Sequence, residues 1–289
     1  MVIRDSHVGG LLDQDASVTA RHLQISAAPE KCRVGLDLRD RAALDATGLA
    51  IATGGEAVFA HDQSTVAIRS SGVGGDQGCM RATLASTSAG QLSVTSSEIG
   101  GGAAGIGVSG GGELSVSNVQ IHDCGIGIAG NAAAANLDRV TVTRATGDGL
   151  RIFGGHWTVS SLFCDSSEDT ALYVANPADV PTSITVRNST LRGSSFGISV
   201  SHPAQLDLGT AADPGGNIIQ GTFKSMYLSF PGDVIEPIVL QAVGNTWQPY
   251  RQGADPEGHY TTRVVKSPLV TDLRGDNFWL FGLGWQIQL

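Results

Sequence analysis

The 289 residues carry 27 acidic against 18 basic side chains, a formal charge of −9, which disfavours non-specific binding to nucleic acid and attraction to anionic lipid. Charged residues make up 16%, aromatic residues 6%, and 39 residues are glycine, a lean β-type composition that is neither helical nor disordered. No run approaches 18 apolar residues, which excludes a transmembrane helix, and Met1 is not followed by the basic and apolar regions of a signal peptide.

From Val18 onward one short phrase recurs, with small or apolar residues at relative positions 0, 2, 5 and 7. Leu114-Ser-Val-Ser-Asn-Val-Gln-Ile121 and Trp157-Thr-Val-Ser-Ser-Leu-Phe-Cys164 show it clearly. Its first residues are Val18, Leu44, Val66, Leu92, Leu114, Ala135, Trp157, Ile184 and Leu206, in steps of 26, 22, 26, 22, 21, 22, 27 and 22 residues. That period is the mark of a solenoid. Positions 0 and 2 share a face only on a strand, so the phrase is two short strands joined by a two-residue turn. The turn pairs run Arg21-His22, Thr47-Gly48, Arg69-Ser70, Thr95-Ser96, Ser117-Asn118, Asp138-Arg139, Ser160-Ser161 and Arg187-Asn188. Several place Asn, Gly or Ser second, where a left-handed backbone costs least.

A third strand follows in most repeats, at 105–108, 125–128, 149–152, 171–174 and 197–200. Three strands per coil of roughly 22 residues make a right-handed, single-stranded parallel β-helix, an all-β fold. Stacking predicts two internal ladders: Ile106, Ile126, Leu150, Leu172 and Ile198, and Ile99, Ile121, Val142, Cys164 and Leu191. Residues 3–9 align with 121–127, so the chain starts inside a coil. The expectation is that the N-terminal cap is missing and that an upstream domain or partner chain covers this end. Coils are assigned to 1–250, and 251–289 to an irregular C-terminal cap continuous with the same domain. Residues 209–217 read as an inserted loop, and Trp247, Trp279 and Trp285, with Phe278 and Phe281, are expected to cover the last coil.

Cysteine is sparse, at 32, 79, 124 and 164, with no Cys-x-x-Cys spacing for zinc or redox chemistry. Cys164 occupies an apolar position of the phrase and reads as core; the other three fall in loops where pairing is open. Two Gly-x-Gly-x-x-Gly strings, at 105–110 and 125–130, lead into strand phrases instead of the helix a dinucleotide site needs. Gly107-Val-Ser-Gly-Gly111 lacks the strand-turn-helix setting of a nucleophile elbow. His122-Asp123-Cys124 has reactive residue types, but neighbours in sequence are expected to point apart, as in a solvated loop.

On these repeats, residues from about 8 to 247 resemble the right-handed parallel β-helix superfamily of pectate lyases, polygalacturonases and phage tailspikes. The resemblance implies that extended saccharides bind along the outward face of the third strand and the loop before it. Stacking puts Gly107, Gly127, Arg151, Tyr173, Ser199 and Tyr227 in that row, and the loops add His122, Asp148, Asp165, Glu168, Asp169 and Arg192. Aromatic rings stack on sugars, and carboxylates and guanidinium groups hydrogen-bond hydroxyl or uronate groups. The hydrolase signatures Asn-Thr-Asp, Asp-Asp and Gly-His-Gly are missing from the sequence. A lyase would need calcium held by several oxygens beside a base; otherwise no cofactor is expected.

Residues 244–260 also resemble the closing segment of uncharacterised bacterial surface lipoproteins with β-helix domains. That similarity implies an extracellular, periplasmic or cell-surface setting, with any export signal outside this chain. The reading is a non-catalytic surface module, either a spacer or a polysaccharide binder, with a polysaccharide lyase or glycoside hydrolase as the alternative and a trimerising tailspike-like segment as the second.

Overall fold

A computed structural model describes residues 2–4, 8–26, 34–52, 55–75, 82–87, 90–175, 181–201, 204–222, 224–229 and 242–247, with short strands further on at Val264–Val265, Phe278–Phe281 and Ile287–Gln288. Every regular element among them is a strand, so no helix there is long and apolar enough to cross a membrane. All strand pairs but one belong to a single continuous parallel ladder system wound into coils.

The first sheet holds the phrase strands, and its register follows the repeat residue by residue. Val18 pairs with Leu44, Leu44 with Val66, Val66 with Leu92, and Leu92 with Leu114. Leu114 then pairs with Ala135, Ala135 with Trp157, Trp157 with Ile184, and Ile184 with Leu206. The second sheet carries a ladder that runs Ile25, Ile51, Val73, Ile99, Ile121, Val142, Cys164, Leu191, Ile219 and Trp247. All of these are buried, so each rung removes its neighbours' apolar surface from water at about 25 cal/mol per Å². Trp247 therefore lies inside the last rung of this ladder. Phe278–Phe281 pairs with the third-sheet strand Lys224–Ser229. The side chains of Trp279, Phe278 and Phe281, and all of Trp285, lie outside the described residues, as do Cys32 and Cys79.

The third-sheet ladder differs from expectation at one rung. Ile106 pairs with Ile128, and Ile128 with Leu150, while Ile126 pairs with Ala104. Leu172, Ile198 and Met226 complete the column. Gly125-Ile-Gly-Ile128 repeats with a period of two, and a slip of two residues keeps the same side chains inside. The phrase alone therefore cannot distinguish the two registers; the length of the preceding corner does.

Glycine at that corner has a specific cause. A Cβ on Gly105 would lie 2.4 Å from Ile121 Cγ2, one on Gly127 2.5 Å from Val142 Cγ1, one on Gly149 2.1 Å from Cys164 Sγ, and one on Gly197 2.7 Å from Ile219 Cγ2. The second-sheet ladder thus fills the space a larger residue would need. The first Gly-x-Gly-x-x-Gly string lies within the strand Ala104–His122, and the second runs from the corner at Gly125 into the strand Ile126–Thr143.

Between the first and second sheets, the second residue of every anticipated turn pair is left-handed, with φ from 48° at Ser70 and Ser96 to 67° at Gly48. Arg139 accepts this conformation without a residue type that favours it. The next residue points inward, and here some coils place polar groups in the core. Ser71 Oγ accepts from Leu49 N–H at 2.9 Å and donates to Arg69 O; Ser97 Oγ repeats the arrangement one coil on. Further along, Ser189 N–H donates to Asn217 Oδ1 at 2.9 Å, and Asn217 N–H to Asn245 Oδ1 at 3.1 Å. The Asn217 amide also donates to Val186 O, and that of Asn245 to Leu208 O. Each buried polar group is thereby satisfied, which removes the cost of burying it.

Residues 209–217, anticipated as an inserted loop, carry no strand. Thr210 N–H donates to Asp213 O, and Arg187 is held between Asp207 and Asp213, each at 2.8 Å.

Candidate functional site

The outward side of the third sheet carries Ala85, Gly107, Ala129, Arg151, Tyr173, Ser199 and Tyr227 on successive rungs. Ala129 takes the place expected for Gly127, which is buried; this is the same two-residue slip. A floor of small residues thus leads to a half-exposed strip of Arg151, Tyr173 and Tyr227.

Three of the anticipated residues meet directly. Arg151 Nε donates to Asp148 Oδ2, and the Arg151 Cζ lies 5.6 Å from the centroid of the Tyr173 ring, a cation–π arrangement. Asp148 lies in the corner two residues before the strand Leu150–Ser160 with 1% of its surface exposed, and Thr170 N–H donates to its Oδ1 at 3.2 Å. Burial raises its carboxyl above the ordinary range, against the opposing pull of Arg151 and the Thr170 amide. Tyr227 stacks on Phe196, with centroids 4.9 Å apart and planes at 23°, a partner the sequence reading did not include. Ser199, between the two tyrosine rungs, is buried.

The remaining candidates do not join this strip. Asp165 and Arg192 form a looser ion pair at 3.7 Å on the second sheet. Glu168 and Asp169 stand exposed on the corner, and the Asp169 carbonyl accepts from Ser195 N–H.

His122 faces the second sheet. Its Nε2 lies 2.8 Å from Glu98 Oε1 and its Nδ1 2.7 Å from Asp123 Oδ2. This corrects the expectation that His122 and Asp123 diverge: Asp123 takes a left-handed φ of 54°, which turns its carboxylate back toward the ring. Arg144 donates to both Asp123 oxygens at 2.6 Å, and with His122 it holds that carboxyl below the usual range. Cys124 next to them is buried and unbridged, its thiol pushed up to about 11 by burial, and it packs as core. Cys164 is likewise buried and unbridged. Among the described residues, no group of three or more His, Cys, Asp or Glu is placed to hold a metal ion.

An all-parallel ladder wound three strands to the coil, with an outward strip of rings and charges along one face, defines a β-solenoid of the parallel β-helix class. A family model described as a right-handed β-helix region matches residues 56–208, more than half of the 289 residues, and the chain belongs to that family. No curated protein and no solved structure matches it.

Proposed function

We propose that the chain is a non-catalytic β-helix module working outside the cytoplasm or at a cell surface, a rigid spacer whose third-sheet face binds an extended polysaccharide. The observation that supports this most is the fixed orientation of two rings on one face. Tyr173 is held against Arg151 and Tyr227 against Phe196, two rungs apart, about 9.6 Å at the strand spacing. Rings that are already ordered lose little entropy on binding and offer flat apolar surface to a sugar chain.

The measurement is retention of the protein in gels containing acidic or neutral polysaccharides. Tyr173→Ala is expected to weaken retention about 3- to 10-fold, the worth of one ring contact, with thermal stability nearly unchanged. Equal retention of both proteins removes this face from the reading.

One observation favours an enzyme instead: Asp148 is a carboxyl with a raised pKa beside a guanidinium, the state a general acid requires. Its 1% exposure beneath Arg151 weighs against contact with a substrate. New reducing ends, or unsaturated-uronate absorbance with or without calcium, would establish catalysis in place of the binding role.

A further inference from the structure

The second sheet carries a concavity that the third-sheet reading does not involve. It encloses about 480 Å³ along the left-handed corner. Two parallel rows line it. Gly72, Glu98, Gln120 and Thr141 are consecutive outward positions in strict register. Ser70, Ser96, Asn118 and Arg139 are the left-handed turn residues beside them.

The chemistry of the groove is consistent along its length. Hydroxyl and amide groups dominate the walls, and Asn118 Nδ2 already donates to Ser96 Oγ at 3.2 Å, so the rows are ordered. The two charged side chains have partners of their own: Glu98 is bound by His122, and Arg139 lies 2.8 Å from Asp138. The buried Ser71 and Ser97 beneath are occupied with backbone groups. At one end, a Cβ on Gly72 would meet nothing within 4 Å, so the floor is open there. At the other end the next rung in register is Phe163, one of the two large apolar side chains exposed among the described residues, at 39%.

A polar trough whose two charges are paired, with an exposed ring one rung beyond its last lining residue, suits a ligand rich in hydroxyls, without net charge, and with an apolar face. We infer that the second-sheet groove from Gly72 to Phe163 is a binding site for a neutral oligosaccharide lying along the solenoid axis, separate from the third-sheet strip. A peptide strand would need an open sheet edge to pair with, and every second-sheet strand bordering the groove is paired on both sides. A nucleic acid would need basic neutralisation, which Glu98 and the overall charge oppose.

The test uses the full chain and calorimetric titration with cellohexaose, laminarihexaose and mannohexaose, with hexagalacturonate as the acidic comparison. At least one neutral hexamer is expected to bind more tightly than hexagalacturonate. Phe163→Ala is expected to weaken that binding about 3- to 10-fold, the worth of a ring contact, and Gly72→Trp, which fills the open floor at an unstrained strand position, to abolish it. Tyr173→Ala is expected to leave it unchanged. Because Phe163 and Gly72 lie at the surface, unchanged melting temperatures separate loss of the site from loss of the fold.

Failure of all three neutral hexamers to bind, or binding indifferent to both Phe163→Ala and Gly72→Trp, overturns the inference. Binding lost only in Tyr173→Ala overturns it too, and leaves the third-sheet proposal standing. Binding lost only in the groove variants supports the groove, and the third-sheet face is then judged by its own gel-retention measurement.

Discussion

Asp148 is enclosed by the start of the third strand, and its ionisation follows from that enclosure more than from its partner. Its carboxyl is raised, with burial the largest cause, so the folded chain holds the proton more tightly than the unfolded chain does. Stability then falls as pH rises from the unfolded carboxylate value of about 3.9; below that value both states are protonated and the dependence disappears. Denaturant titrations of the native chain and Asp148→Asn should therefore show the native chain losing stability relative to the variant as pH rises above about 4. The opposite trend would mean that Arg151 outweighs burial.

Asn217 presents the converse case, a buried polar group whose bonds are complete. Asn217→Ala strands the Ser189 N–H, while the Val186 carbonyl keeps its bond from Arg187 Nη1, and a loss of about 1–3 kcal/mol is expected in the same titration. Nothing in the repeat phrase announces this residue. It stands where other coils carry Leu49, Val119 or Ser71, and its meaning appears only when the coils are stacked.

At the scale of the coil, the corners decide the register. The apolar phrase was enough to set every pairing of the first sheet and the second-sheet ladder from Ile99 to Leu191, because positions 0, 2, 5 and 7 admit one alternation; the rungs Ile219 and Trp247 lie past Leu208, where the phrase loosens. It failed at Ile126, where Gly-Ile-Gly-Ile looks the same after a shift of two. The turn pairs were legible in every coil up to Asn188; residue type announces the left-handed conformation at Gly48 and Asn118, whereas at Arg139 the neighbouring coils impose it on a residue that does not prefer it.

The glycine before four of the third-strand ladder residues, Ile106, Ile128, Leu150 and Ile198, gives a direct test of that corner. Gly149→Ala should cost about 1–3 kcal/mol, because the new methyl would meet Cys164 Sγ at 2.1 Å and Ala171 O at 2.8 Å. Adding Cys164→Ala should recover part of the loss, a non-additive pair in a thermal-unfolding cycle. Simple additivity would show that the second-sheet ladder does not set the glycine.

Across the whole molecule, inward positions were readable and outward ones were not. Burial imposes a period on the core, whereas surface residues answer to nothing that recurs. Arg151, Tyr173 and Tyr227 were found because their stacked rungs could be counted, while Phe196 and the groove from Gly72 to Phe163 depend on which corner each rung borders. The ladders also tie distant coils into one unit. Ile121→Asp would bury an unpaired charge between Ile99 and Val142, at a cost of several kcal/mol. Hydrogen exchange should then show protection lost first at residues 98–100 and 140–143, and confinement of the effect to residue 121 would contradict the stacked core.

Because each left-handed turn bonds to the next in the same manner, overall length is a quantity the protein can change without redesign. Duplicating one complete coil would extend the rod by about 4.8 Å and leave every existing neighbour relation but one intact. Lineages of such chains can therefore lengthen or shorten their reach by copying or deleting whole turns, while the faces those turns present drift independently.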